Sequence, residues 1–250
     1  MTNEFFFNTI IIIMLFKKAN IKNTIYFSFI VQIITSLISS QGLIETLSER
    51  DAILKDILTM ELLVQFVESS FYVWVILAMK DYKILTRRRY IDWVITTPTM
   101  LISTVIFMRY IEYKEKDKEI FSFKEIIIQE KDNLIKITIY NFLMLLFGYL
   151  GETGIIKKEV SIGIGFVFFY LSFSIIHDYA KETEQGKQLF YFLTSVWSLY
   201  GVSAYFDQNM KNICYNLLDI VSKNFYGLYI YYIIKKVNIT EEGEKVSQIL

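Results

Sequence analysis

Lys223 is the residue whose chemistry most needs explaining. It lies in the apolar run Asn216-Leu217-Leu218-Asp219-Ile220-Val221-Ser222-Lys223-Asn224-Phe225, one helical turn after Asp219. An amine and a carboxylate at this spacing share one face of a helix. One reading is a buried ion pair that holds helices in register, but such a pair is rarely a net stabiliser once desolvation is counted. A desolvated lysine is readily deprotonated and nucleophilic, and its standard use is a Schiff base with a carbonyl compound. If the carbonyl belongs to a polyene aldehyde, the protonated imine is a chromophore with a buried positive charge. Such a cation needs carboxylate counterions, which raise its proton affinity.

A second constellation supplies one. In Arg89-Tyr90-Ile91-Asp92-Trp93-Val94-Ile95-Thr96-Thr97-Pro98, a helix turning ~100° per residue puts Arg89, Asp92, Thr96 and Ser103 on one face. An ionised Asp there costs about 2.5 to 3.5 kcal/mol on the insertion scale, so it should face a bundle interior and have a partner. The plainer reading is an interhelical polar contact with an ordinary kink at Pro98, where Thr96 or Thr97 satisfies carbonyls that the ring leaves free. A third stripe, Glu61, Gln65, Glu68 and Tyr72, recurs at spacings of four, three and four. Its alternative reading is neutral, hydrogen-bonded packing.

These stripes need a membrane scaffold. The chain has 250 residues, 54% of them hydrophobic and 17% aromatic, with a mean hydropathy of +0.38, far from the balance of a soluble domain. Apolar stretches fall at 24–46, 52–79, 86–111, 133–151, 158–180, 187–207 and 210–235. Their lengths suit helices that each cross with roughly 20 residues, and their lack of strict alternation argues against a barrel. The expectation is an all-α bundle of seven transmembrane helices in one domain over 24–237, with 1–23 a tail or interfacial helix and 238–250 a C-terminal tail. Phe5–Phe16 is too short to span and has no obvious cleavage site.

A zero net charge without a long basic run excludes a nucleic-acid footprint. One histidine, His177, and one cysteine, Cys214, leave no His/Cys metal cluster and no intramolecular disulfide. Arg109, Lys114, Lys116, Lys118, Lys124, Lys131, Lys235, Lys236 and Lys245 place one end in the cytoplasm and the N-terminus outside, against the opposing cluster Arg87–Arg89.

The motifs Arg89-Tyr90-x-Asp92-Trp93-x-x-Thr96-Thr97-Pro98, Trp197-Ser198-x-Tyr200 and Asp219-x-x-x-Lys223, in that order, resemble those of the microbial (type 1) rhodopsins across all seven spans. The resemblance implies a seven-transmembrane-helix bundle of the microbial rhodopsin type, with all-trans retinal covalent on Lys223. It makes Asp92 the primary counterion and proton acceptor and Asp219 the second counterion, with Arg89 tuning the acceptor. Trp93 and Trp197 would sandwich the polyene, and Thr97, Met100 and Tyr200 would line the pocket, Met100 being of a type usually linked to green absorption. It also implies a homo-oligomer, trimer or pentamer, in a lipid bilayer, and no enzymatic activity. Asp92, Thr96 and Ser103 look like the Asp-Thr-Ser class that includes rhodopsins of giant viruses, so the setting would be a membrane of a virus-infected cell.

Within that family, Asp at the first of these positions argues against chloride pumping and the set differs from that of sodium pumps. The favoured reading is a light-driven outward proton pump. Ser103 stands where such pumps usually carry a carboxylic donor, which slows reprotonation, and Glu61 is the substitute donor expected from α-helical placement. Gly201 replaces a common proline, and no carboxylate pair for proton release is visible. His177 reads as a cap or interfacial residue and Glu152 as a solvated helix-end carboxylate. The rivals are a light-gated cation channel, motivated by the stripe from Glu61 to Tyr72, a photosensor with a separate transducer, and a chromophore-free structural protein, which leaves Lys223 unexplained.

Overall fold

The computed structural model describes residues 20–78, 84–119 and 122–249; the segment Phe5–Phe16 lies outside them. Helix α1 (Ile21–Ser40) starts at Asn20, whose side chain accepts from the Asn23 amide at 2.8 Å, and ends in a 3-10 turn at Gln41–Ile44. There follow α2 (Ile53–Ala78), α3 (Leu85–Glu115), the short α4 (Phe123–Gln129), α5 (Lys131–Glu152), α6 (Lys158–Ala180) and α7 (Glu184–Ser203). The last rod is compound: α8 (Gln208–Asp219), one π-helical turn at Ile220–Asn224, and α9 (Phe225–Ile249). It passes beyond residue 237, where a tail was expected to begin.

The seven rods close a ring. α1 packs on α2, α2 on α3, α3 on α5, α5 on α6, α6 on α7, α7 on α8, and α8 returns to α1. α3 also touches α6, α7 and α8, which makes it the central helix and the most buried of the apolar rods.

Polarity runs inside out relative to a water-soluble bundle. On α1 the buried positions include Thr24, Ser28, Gln32, Thr35 and Ser39, while Phe27, Ile30, Ile34 and Leu37 are exposed. Apolar side chains facing outward with hydroxyls and amides inward suit a hydrocarbon surround. Among the described residues, five helices are long and apolar enough to cross a membrane: α1 with its 3-10 turn, α2, α3, α5 and α6. The compound rod is less apolar because Lys211, Asn212, Asn216, Asp219, Lys223 and Asn224 all turn into the interior.

Two local features differ from expectation. The charged stretch after Arg109 continues α3 rather than starting a loop, because Arg109–Glu112 at 2.7 Å and Lys116–Glu112 at 3.1 Å are pairs three and four residues apart. At Pro98, Thr97 bonds the Trp93 carbonyl at 2.7 Å and Thr96 that of Asp92 at 3.0 Å. These carbonyls lie beside the one, on Val94, whose i+4 donor the ring removes.

Candidate functional site

The π turn presents Lys223 to the interior, and single π turns recur at functional positions because they re-aim side chains. Lys223 Nζ lies 2.7 Å from Asp92 Oδ2 on α3, 3.7 Å from Asp219 Oδ1 and 3.7 Å from Glu68 Oε1 on α2. None of the three carboxyl side chains is exposed. The predicted pair of counterions is therefore met by a third acid, Glu68, which the sequence placed on the α2 stripe without relating it to Lys223.

Arg89 lies on the far side of this cluster from Lys223, against Asp219. Its guanidinium donates to Asp219 Oδ2 at 2.6 Å and to Asn216 Oδ1, and contacts Tyr72 Oη at 3.4 Å. Its ion-pair partner is thus the second carboxylate rather than Asp92, since the side chain reaches across to α8 instead of along α3. Tyr72 at 2.9 Å and Tyr200 at 2.8 Å complete the donors around Asp219. Asp92 keeps one oxygen, Oδ1, with no hydrogen-bond partner among the described residues.

Beside Lys223 runs a pocket lined by all five predicted residues, Trp93, Thr97, Met100, Trp197 and Tyr200. Tyr90, Met144, Phe166, Phe169 and Tyr215 line it too, and were not anticipated because a lone aromatic in an apolar run reads as packing. Tyr215 stacks on Tyr200 and meets Trp93 edge-on, with ring centroids 5.5 and 5.1 Å apart. Asn141 holds Thr97 at 2.8 Å. A primary amine opening onto a largely apolar, aromatic-walled slot, with carboxylates behind the amine, fits a long apolar aldehyde such as retinal.

The α2 stripe faces inward as predicted. Ser103 Oγ contacts Glu61 Oε1 and donates towards the Met100 carbonyl at 2.8 Å. A hydroxyl has one proton, so both contacts are hydrogen bonds when Glu61 is in its acid form. Asn224 donates to Glu68 at 3.3 Å and accepts from Thr35 at 2.7 Å. Gln65 lies over the backbone of Gly227, where a Cβ would come within 2.1 Å of its amide nitrogen. Among the described residues, Glu61 Oε2, both polar atoms of Gln65, Glu68 Oε1 and Ser39 Oγ are buried without a hydrogen-bond partner.

Two further expectations meet the structure differently. His177 sits in the last turn of α6, at the helix end as expected, with its ring edge-on to Phe190 at 5.1 Å. Glu152 is not a solvated end group. Its side chain is only 10% exposed and binds Lys211 at 2.6 Å and Gln208 at 2.6 Å. Its partners lie more than fifty residues away, so local sequence could not reveal them.

The family described as bacteriorhodopsin-like protein matches residues 23–237. No curated protein sequence matches the chain. Among solved structures, viral rhodopsin OLPVRII superposes with a TM-score of 0.74 at 28% identity, covering 87% of this chain and 98% of that one. The blue light-absorbing proteorhodopsin from Med12 gives 0.65 at 20% identity, over 86% and 97% of the two chains. Halorhodopsin from Halobacterium salinarum in its bromide-bound form gives 0.63 at 14%, over 89% and 95%. The last two likenesses carry the fold alone. With a family match across all seven rods and the lysine of the resemblance buried among its carboxylates, the chain belongs to the bacteriorhodopsin-like proteins, the microbial rhodopsins.

Proposed function

We propose that the protein is a retinal-binding, light-gated cation channel whose path runs between α1, α2, α3 and the compound seventh rod. The observation that carries this reading is Gln65: it is fully buried between Glu61 and Glu68, and neither polar atom of its amide has a hydrogen-bond partner among the described residues. An amide stranded without hydrogen bonds costs about 1 to 3 kcal/mol, and three further stranded oxygens, Glu61 Oε2, Glu68 Oε1 and Ser39 Oγ, lie on the same inner surface or next to it. Water relieves all of them, since it needs polar partners of this kind. From Glu61 to Tyr72 the stripe extends ~16 Å along α2 at 1.5 Å per residue.

Bound on Lys223, retinal supplies light absorption and a change of shape at Nζ. Trp93 and Trp197 confine it within the pocket. The proton on Nζ has Asp92 Oδ2 as its nearest acceptor, at 2.7 Å. Its transfer neutralises both groups and removes the positive charge 3.7 Å from Glu68 and from Asp219. Asp219 remains paired with Arg89. Glu68 then faces the hydrated stripe without a counter-charge beside it, which lowers the barrier for a cation there. In this reading the end bearing Lys114, Lys116, Lys118 and Lys235 is cytoplasmic.

The outward proton pump is the second reading, and the Ser103–Glu61 contact is the observation that favours it. Where pumps of the family usually carry a carboxylic donor on the third helix, this chain has a serine touching a carboxyl from the second. Glu61 can then return a proton towards Lys223.

Voltage clamp of cells supplied with all-trans retinal separates the two. A light-induced current that reverses, with a reversal potential that follows the cation gradient, supports the channel. An outward current at every voltage, with external acidification abolished by a protonophore, overturns it in favour of the pump.

A further inference from the structure

At the Arg89 end of the bundle, Glu152 and Lys211 form an ion pair of 2.6 Å with side chains 10% and 3% exposed. Glu152 ends α5 and Lys211 lies in the first turn of α8. These helices are not neighbours in the ring. α5 borders α3 and α6, whereas α8 borders α1 and α7. The pair therefore reaches across the mouth of the bundle instead of riveting one helix to the next.

A layered polar network lies beneath it. Gln208 donates to Glu152 at 2.6 Å and accepts from Thr86 at 3.1 Å, and Thr86 also contacts Asn212 Oδ1 at 3.2 Å. Thr86 and Asn212 are buried. One helical turn further in, on the same two helices, Arg89 meets Asn216 and then Asp219. Polar groups thus continue from the mouth to the Lys223 cluster, and the group directly above Thr86 and Asn212 is Gln208, which the ionic pair holds through Glu152.

We propose that Glu152 and Lys211 are a shutter that closes the Arg89 end of the path in the dark, with Gln208 holding Glu152 in place. The proposal rests on the reading of the interior as a hydrated ion path. Physically, a mostly enclosed charge pair is stable while paired, and loss of one partner leaves a buried charge that draws in water. Swinging the pair apart is accordingly a discrete event that frees Gln208 from Glu152, and movement of Gln208 exposes Thr86 and Asn212.

The test is thiol accessibility in darkness, which needs no transport. Thr86→Cys is made in a Cys214→Ser background, and labelling by a membrane-impermeant cationic methanethiosulfonate is timed. The retinal absorption band certifies folding. With the pair intact, labelling is slow. With Lys211→Met, and separately with Glu152→Gln, it accelerates about ten-fold or more, the scale of a partner lost from a buried pair. The exchanged pair, Glu152→Lys with Lys211→Glu, returns it towards the slow rate. Fast labelling with the native pair, or an unchanged rate in both single variants that retain the band, overturns the shutter. Where one single variant fails to take up retinal, the other decides. Failure of the channel reading would appear instead in the currents, and leaves this labelling result as it stands.

Discussion

Arg89 and Asp219 form an ion pair of 2.6 Å in which neither side chain is exposed at all. Tyr72, Tyr200 and Asn216 supply the remaining hydrogen bonds around the two groups. Such a pair is weak evidence for net stability, but removing one partner strands the other. Asp219→Asn should therefore destabilise the retinal-bound protein by about 3 kcal/mol, the lower end for a broken buried pair. Thermal bleaching of the visible band in detergent measures this. Unchanged stability would mean that water replaces the carboxylate at no cost.

Of the three carboxyl groups around Lys223, Asp92 is closer than Glu68 and Asp219, which sets its electrostatic effect above theirs. A negative charge near the nitrogen stabilises the ground state of a protonated chromophore, so its removal shifts absorption to the red. At equal charge the closer group has the larger Coulomb term. Asp92, at 2.7 Å, should give the largest shift as Asp92→Asn, with Glu68→Gln, at 3.7 Å, smaller. Absorption spectra of the purified variants at one pH decide the order, and an equal or larger shift for Glu68→Gln refutes it.

The site was legible in the sequence where function imposes a residue type within one helix. Asp219 and Lys223 four apart, the stripe of Arg89, Asp92, Thr96 and Ser103, and the α2 stripe all showed themselves by period, and each faces inward. The α1 inner face was overlooked, though Thr24, Ser28, Gln32, Thr35 and Ser39 repeat at four, four, three and four, because hydroxyls and one amide barely dent an apolar average. Choices between helices were not legible. Nothing local tells Arg89 to pair with Asp219 rather than Asp92, brings Lys211 to Glu152, or shows that Gly227 is small so that Gln65 can lie on it.

Gly201 stands against the pocket, and a Cβ there would come 2.5 Å from the Phe166 ring. Phe166 itself lines the pocket, so the ring can yield only by moving along or into it. Gly201→Ala should slow retinal uptake by the apoprotein and shift the band, since overpacking forces rotamer changes worth about 1 to 3 kcal/mol. Following the growth of the visible band after retinal addition checks this, and native uptake kinetics would show that Phe166 turns aside freely.

Outside the membrane core, Glu45 follows the first helix and is tied to Lys235 Nζ at 2.6 Å and to Asn238 at 2.6 Å. The hydrogen bond from Lys235, then that from Asn238, holds its carboxyl below the ordinary 4.5. A depressed acid stabilises the fold fully above its unfolded value and loses that contribution as pH falls through the folded one. The melting temperature should thus decline on acidification below about 4.5. Lys235→Met should flatten part of that decline while lowering the value at neutral pH slightly, as melts from pH 3 to 7 would register.

Gln65 offers the sharpest separation of transport from stability. Its amide is buried with both atoms unpartnered among the described residues, flanked by Glu61 and Glu68 one turn away on either side. Replacement by leucine removes two stranded polar atoms and keeps a similar volume, a change that is often neutral or stabilising when both hydrogen-bonding groups go together. It also places a branched apolar side chain in the middle of the proposed path. Gln65→Leu should hold or raise the bleaching temperature, leave the absorption band nearly in place, and reduce the light-gated current about ten-fold, the effect of ~1.4 kcal/mol on an ion's barrier. A stable, coloured variant with native current would mean that ions do not pass Gln65, and would move the path off the α2 stripe. A variant with reduced stability would mean that the amide is satisfied by a firmly bound water, and that this water belongs to the fold.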